Sequence, residues 1–164
     1  MIFKIKRHDI DLYNTLLSLS RNIFFYEKIK LKDSFETRIY LMFIHFSIMM
    51  IIFKAKGKMF DQKLYDSLFH NIENNLRELG FGDVTVNKKM KDLNKILYDI
   101  LLKIELKKNH KFLMNKKMIL TYFKEFEVDN KNYAEFEAYF LNFYNFCFEI
   151  PLDNMLRETI NFKI

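Results

Sequence analysis

A chain that reverses direction often needs residues that turn cheaply, and this sequence of 164 residues holds three glycines and one proline. Tight turns draw heavily on those two types. Sheet-rich folds are therefore disfavoured, and long helices joined by a few loops are expected. One domain fits the length, and an apolar fraction of 50% is enough to fill its core.

The apolar residues recur at helical spacing. Leu12, Leu16, Leu19 and Ile23 fall on one stripe after Asp9 or Asp11, either of which can cap a first helix. Asn22 to Tyr26 closes that element with aromatics. Asp33 or Ser34 can cap a second helix that runs to Ala55, with Gly57 at its end. Phe60, Leu64, Leu68, Ile72, Leu76 and Leu79 form the apolar face of a third, closed by Gly80. After a short loop, Asp83 or Thr85 can cap a fourth helix. Its stripe is Met90, Leu93, Leu97, Ile100 or Leu101, and Ile104, and its end is Lys107-Lys108. Further helices are expected over 116–126 and 132–148, and Pro151 can start a short last one through Arg157. The expectation is an all-α, bundle-like domain of six or seven helices spanning 1–164, without repeats or linkers.

Ile39 to Phe53 is a run of 15 residues without a charge. It rises about 22 Å as a helix, short of a ~30 Å hydrocarbon core. It also carries His45 and Ser47, so it reads as a buried central helix. The start, Met1 to Arg7, shows neither a secretory signal nor a mitochondrial presequence. The lone Cys147 points to a reducing compartment and reads as a core residue.

Lysine and arginine total 27 against 21 acids, a formal charge of +6. That favours anionic partners such as lipid or nucleic acid. The 19 Phe, 9 Tyr and 9 Met reflect either codon bias or a surface for an apolar partner.

No catalytic constellation is present. The histidines are His8, His45, His70 and His110, and none follows a glutamate by three positions. Metalloprotease, nucleophile-elbow, phosphate-loop and dinucleotide motifs are absent. A zinc site and a cofactor are not expected, and the chain reads as non-enzymatic. His45 is either a hydrogen-bonded core histidine, a haem ligand or a partner contact. The most distinctive stretch is Asn74 to Asp83. There Gly80 ends a helix, Gly82 permits a turn, and Arg77 can pair with Asp83. A loop that rigid helices hold in this way also suits recognition. The cluster Asn87-Lys-Lys-Met-Lys91 is a solvated face or a contact for phosphates, with no signature for specific nucleic acid.

Leu76-Arg-Glu-Leu-Gly-Phe-Gly-Asp-Val84, followed by Val86 and Lys88-Lys-Met-Lys91, resembles the signature of the ubiquinol–cytochrome c chaperone family. Other landmarks follow in order: Tyr13, Arg21 and Phe25-Tyr26; Asp33, Arg38 and Ile44-His45; Ala55-Lys-Gly57; Leu68-Phe69; Glu137-Ala-Tyr139; Pro151-Leu152. Asp99 stands where the family pattern has glycine, and tryptophan is absent. The resemblance implies an assembly chaperone for the cytochrome bc1 complex whose client is newly made cytochrome b. A small partner chaperone, the ribosome or the inner-membrane surface would assist it. It further implies an alphaproteobacterial-type protein in the cytoplasm, peripheral at the inner membrane, or on the matrix side in a mitochondrion. The contact residues it suggests are Arg38, His45, Arg77, Glu78, Gly80, Gly82, Asp83, Lys88 and Lys89. The competing readings are a helical interaction module with another client and a ribosome- or RNA-associated helical protein.

Overall fold

In the computed structural model, described for residues 12–107, 109 and 111–163, helices carry nearly all of the regular structure. Helix α1 covers 12–20. A π-helical turn follows at Phe24–Lys28, then α2 at Phe35–Ala55, α3 at Gln62–Glu78 and α4 at Asp83–Lys103. Strands β1 (Glu105–Lys107) and β2 (Lys111–Leu113) form an antiparallel hairpin. The chain then makes α5 (Lys116–Tyr122), α6 (Glu125–Val128) and α7 (Tyr133–Glu149), and ends in short turns around α8 (Met155–Glu158). The caps proposed at Asp9 and Asp11 lie outside the described residues.

Helix α2 is the axis of the molecule. Leu41 through Met49 are buried without interruption, so every face of more than two turns is covered. Helix α2 as a whole, 21 residues from Phe35 to Ala55, is long and apolar enough to cross a membrane, but most of it is enclosed by the rest of the chain. It packs against α4 and α7. Rings from α3 and the residues before it also meet α2 in antiparallel order: Phe69 stacks on Phe43 at 5.8 Å, Tyr65 lies 6.0 Å from Phe46, and Phe60, just ahead of α3, lies 5.0 Å from Phe53. Ser34 caps α2 by accepting the Thr37 amide at 3.2 Å. Asp33, the alternative cap, binds Arg38 instead.

His45 sits at the centre of this packing with no exposure. Its Nδ1 lies 2.6 Å from the Leu41 carbonyl and its Nε2 lies 2.8 Å from the Tyr139 hydroxyl. A carbonyl only accepts, so Nδ1–H donates to Leu41 and Nε2 accepts from Tyr139. Phe143 and Phe140 close around the ring edge-on, at centroid distances of 4.7 and 4.9 Å. Desolvation lowers the imidazole pKa to about 4, so it stays neutral near pH 7.

Both loop glycines after long helices are used as helix stops. Gly57 has φ +74° and Gly80 has φ +97°. In each case the next two amides fold back onto the last turn. Gly57 N–H donates to Lys54 and Lys58 N–H to Phe53, at 3.0 and 2.9 Å. Gly80 N–H donates to Arg77 and Phe81 N–H to Leu76, at 3.0 and 3.4 Å. This is the Schellman arrangement, which needs a left-handed residue that glycine adopts without strain.

Four expectations change. Helix α4 stops at Lys103 rather than Lys108, because Ile104 turns extended and the chain forms a hairpin. Leu106 and Phe112 point inward there, and Phe112 stacks on Tyr144 at 5.1 Å. The helix expected over 116–126 breaks at Phe123, whose φ −118° and ψ 82° are not helical. Phe123 and Phe126 are nevertheless both buried against Phe136, at 5.3 and 5.1 Å. Ile23 is 62% exposed, because the chain leaves α1 after Ser20. Leu79 is 56% exposed, because the helix ends before it can turn inward.

The His45 environment fixes a pH dependence. The folded pKa of about 4 lies below the ordinary histidine value of 6.5, so the unfolded chain binds the extra proton. This contribution to stability is complete above pH 6.5 and is lost as pH falls toward 4, at about 1.4 kcal/mol per pH unit. Urea titrations of the wild type and of His45→Phe from pH 7 to 4 should show the wild type losing about 3 kcal/mol more than the variant.

Candidate functional site

Residues Arg77 to Asp83 form the turn between α3 and α4, and backbone and side chain hold it together. The two amide bonds at Gly80 and Phe81 fix its path. The Arg77 guanidinium then bridges Glu73, at 3.2 Å, and Asp83. These two hydrogen bonds hold the guanidinium pKa above its ordinary value. The bridge joins the last turn of α3 to the first of α4 across the Schellman stop. Gly82 is the N-cap of α4, at an ordinary φ of −77°. Asp83 does not cap the helix through its side chain. It occupies the first turn, where an anion suits the helix dipole.

This turn displays apolar surface. Val84 is 84% exposed, and Leu79 and Phe81 are also open to solvent. Lys89 places its ammonium 4.8 Å from the centroid of the Phe81 ring. Three apolar side chains within six residues, bordered by Arg77, Lys88 and Lys89, form an exposed greasy patch with a basic rim.

The expected contact residues separate into two groups. Arg77, Glu78, Gly80, Gly82, Asp83, Lys88 and Lys89 gather in or beside the loop, all exposed but the half-buried Lys89. Arg38 lies near the N-terminus of α2. Because α2 and α3 run antiparallel, Arg38 is at the same end of the molecule, where it binds Asp33 at 2.7 Å. His45 is apart from these. It is fully buried and both ring nitrogens are engaged, so it positions α2 against α7 and does not reach the loop surface. Among the described residues, no three His, Cys, Asp or Glu side chains gather as metal ligands do.

The ubiquinol-cytochrome C chaperone family model matches residues 27–118. The chain belongs to that family. The match covers more than half of the chain and takes in α2, α3, the Arg77–Asp83 loop, α4 and the hairpin. It ends before α7, so the Glu137-Ala-Tyr139 and Pro151-Leu152 landmarks lie outside it. No curated protein and no solved structure matches the chain.

Membership in this chaperone family directs attention to surfaces that could hold a client, and sequence reading missed part of that surface. In the sequence Phe81 and Val84 belong to no apolar stripe, and Leu79 has the spacing of the buried one. A cleft at the far end of α4, beside Leu101 and Leu102, was missed entirely. Its signal was present: Ile100, Leu101 and Leu102 are three consecutive apolar residues where one helix face needs only one or two. Asp99, the departure from the family pattern, is accommodated by Lys103 at 2.6 Å and by the Tyr122 hydroxyl, which together keep its carboxyl below the usual range.

The two glycines of the turn should respond differently to alanine. A Cβ at either meets no atom within 4 Å, so only the backbone decides. Gly80→Ala, at φ +97°, should cost roughly 1–2 kcal/mol in urea unfolding. Gly82→Ala should be close to neutral in the same experiment.

Proposed function

We propose that the protein is a non-enzymatic assembly chaperone for the cytochrome bc1 complex, and that it holds newly made cytochrome b before haem insertion is complete. Membership in the chaperone family supports a client-binding role. The observation that carries the reading is the rigid Arg77–Asp83 turn, which presents Leu79, Phe81 and Val84 to solvent beside a basic rim. A monomer that needed no partner would gain by burying those side chains.

The physical task fits that surface. Transmembrane helices that await their cofactor expose apolar faces and unligated histidines. A preorganised apolar patch covers such a segment at little entropic cost, because the Arg77 bridge has already fixed the loop. The lysines at its edge complement anionic lipid head groups at the membrane surface, each contributing about 1 kcal/mol near such a surface. The protein then works in the cytoplasm as a peripheral component of the inner membrane, or on the matrix side in a mitochondrion. Release follows when haem completes the client's own packing. A small partner chaperone or the ribosome would add contacts without changing this role.

Arg77 gives the test, because it orders the loop while lying outside the core. Arg77→Ala should keep the helical circular dichroism of the wild type and most of its melting temperature. In cells it should lower b-type haem and assembled bc1 complex several-fold. A folded Arg77→Ala protein that supports full bc1 content would remove the loop from the mechanism.

A further inference from the structure

At the opposite end of α4 from the Arg77 loop, about 30 Å along the helix, an open cleft of about 820 Å³ lies between the last turns of α2 and α4 and the hairpin. Met50 and Ile51 form one wall, Leu101 and Leu102 the other, and Leu106 of β1 closes the end. Leu102 is 78% exposed, so the cleft leaves a large apolar side chain at its mouth. Two cations border it, Lys54 on α2 and Lys107 on β1, and both are exposed. Neither has an acidic partner among the described residues, and none of the described lining residues is acidic. Lys111 sits directly across the hairpin from Lys107 and adds to the positive rim.

We infer that this cleft is a membrane-docking site that takes an acyl chain of an anionic phospholipid, with Lys54 and Lys107 holding its phosphate. The apolar floor suits a hydrocarbon tail, and the volume lies within the range of small-ligand sites, roughly 300–1,000 Å³. A whole helix, about 10–12 Å across with its side chains, asks for a longer trough than the last turns of two helices provide. The charge settles the head group: unpaired lysines at the mouth of an apolar slot match an anion beside a chain. The inference deepens the membrane-surface part of the proposed function and rests on it. It adds a second lipid contact at the far end of α4, about 30 Å along the helix from the lysines beside the Arg77 loop, so that both ends of α4 meet the membrane surface where the client is being inserted.

The chain has no tryptophan, so Leu102→Trp creates a single reporter at the mouth of the cleft. With vesicles of phosphatidylcholine containing phosphatidylglycerol, its emission should shift to the blue and be quenched by lipids brominated on the acyl chain. Vesicles of phosphatidylcholine alone should give neither effect. Adding Lys54→Gln and Lys107→Gln should weaken vesicle binding about thirtyfold. Three results would overturn the inference. One is no binding to the anionic vesicles. Another is binding with unchanged tryptophan emission, which means adsorption through other lysines. The third is a shift that needs no lipid and tracks protein concentration or an added apolar helical peptide, which gives the cleft to a second copy or to the client. The assay contains no cytochrome b, so its failure is distinct from failure of the chaperone reading, which the Arg77→Ala phenotype tests.

Discussion

Enclosure of helix α2 on every side is the constraint on which the rest of this structure depends. A helix with an uninterrupted buried run from Leu41 to Met49 cannot lie on a surface, so the other elements must wrap it. Apolar packing alone has little directional preference. The His45 side chain supplies direction: Nδ1–H donates to Leu41 within α2, which leaves Nε2 to accept from Tyr139 of α7 and ties the two helices at that point. An unmet nitrogen in so dry a setting would carry a desolvation penalty of roughly 1–3 kcal/mol. The edge-on rings of Phe140 and Phe143 complete the fit.

Once α2 is fixed, both ends of the molecule follow. Its N-terminal turn, with Asp33 and Arg38, shares an end with the Schellman stop of α3 and the Arg77 bridge. Its C-terminal turns share the other end with the close of α4 and the hairpin. Lys56, just beyond α2, reaches the carbonyls of Phe148 and Ile150 at 2.6 and 3.2 Å and so stabilises the C-terminal end of α7. The buried axis therefore supports two surfaces that do not compete: an apolar loop with a basic edge, and an apolar cleft with lysines at its mouth.

Much of this was legible in the sequence. The scarcity of glycine and proline gave the helical class. The stripe in α3 gave Leu68, Ile72 and Leu76 as core. Gly57 and Gly80 marked helix stops, and Arg77 was paired with Asp83 as expected. The family followed from the same stretch. What escaped is where long-range packing overrides local pattern. Phe112 needs Tyr144, which lies far along the chain, so the hairpin has no strong local signal. Phe123 leaves helical geometry while still packing with Phe126 on Phe136, a partner from a later helix that no local pattern shows. Leu79 has the spacing of a core residue, and only the position of the helix end exposes it. The cleft is assembled from α2, α4 and β1, and no single segment announces it.

The central claim is that a compact helical body shelters an apolar, unfinished membrane subunit and carries out no chemistry of its own. The most direct measurement is deletion of the gene in its own host, with bc1 content read from reduced-minus-oxidised haem spectra and from quinol-dependent reduction of cytochrome c. The account predicts that b-type haem signal of the bc1 complex and that activity fall together, while transcription of the subunit genes is unchanged. Undiminished b-type haem and full quinol-oxidising activity in the deletion strain would contradict it.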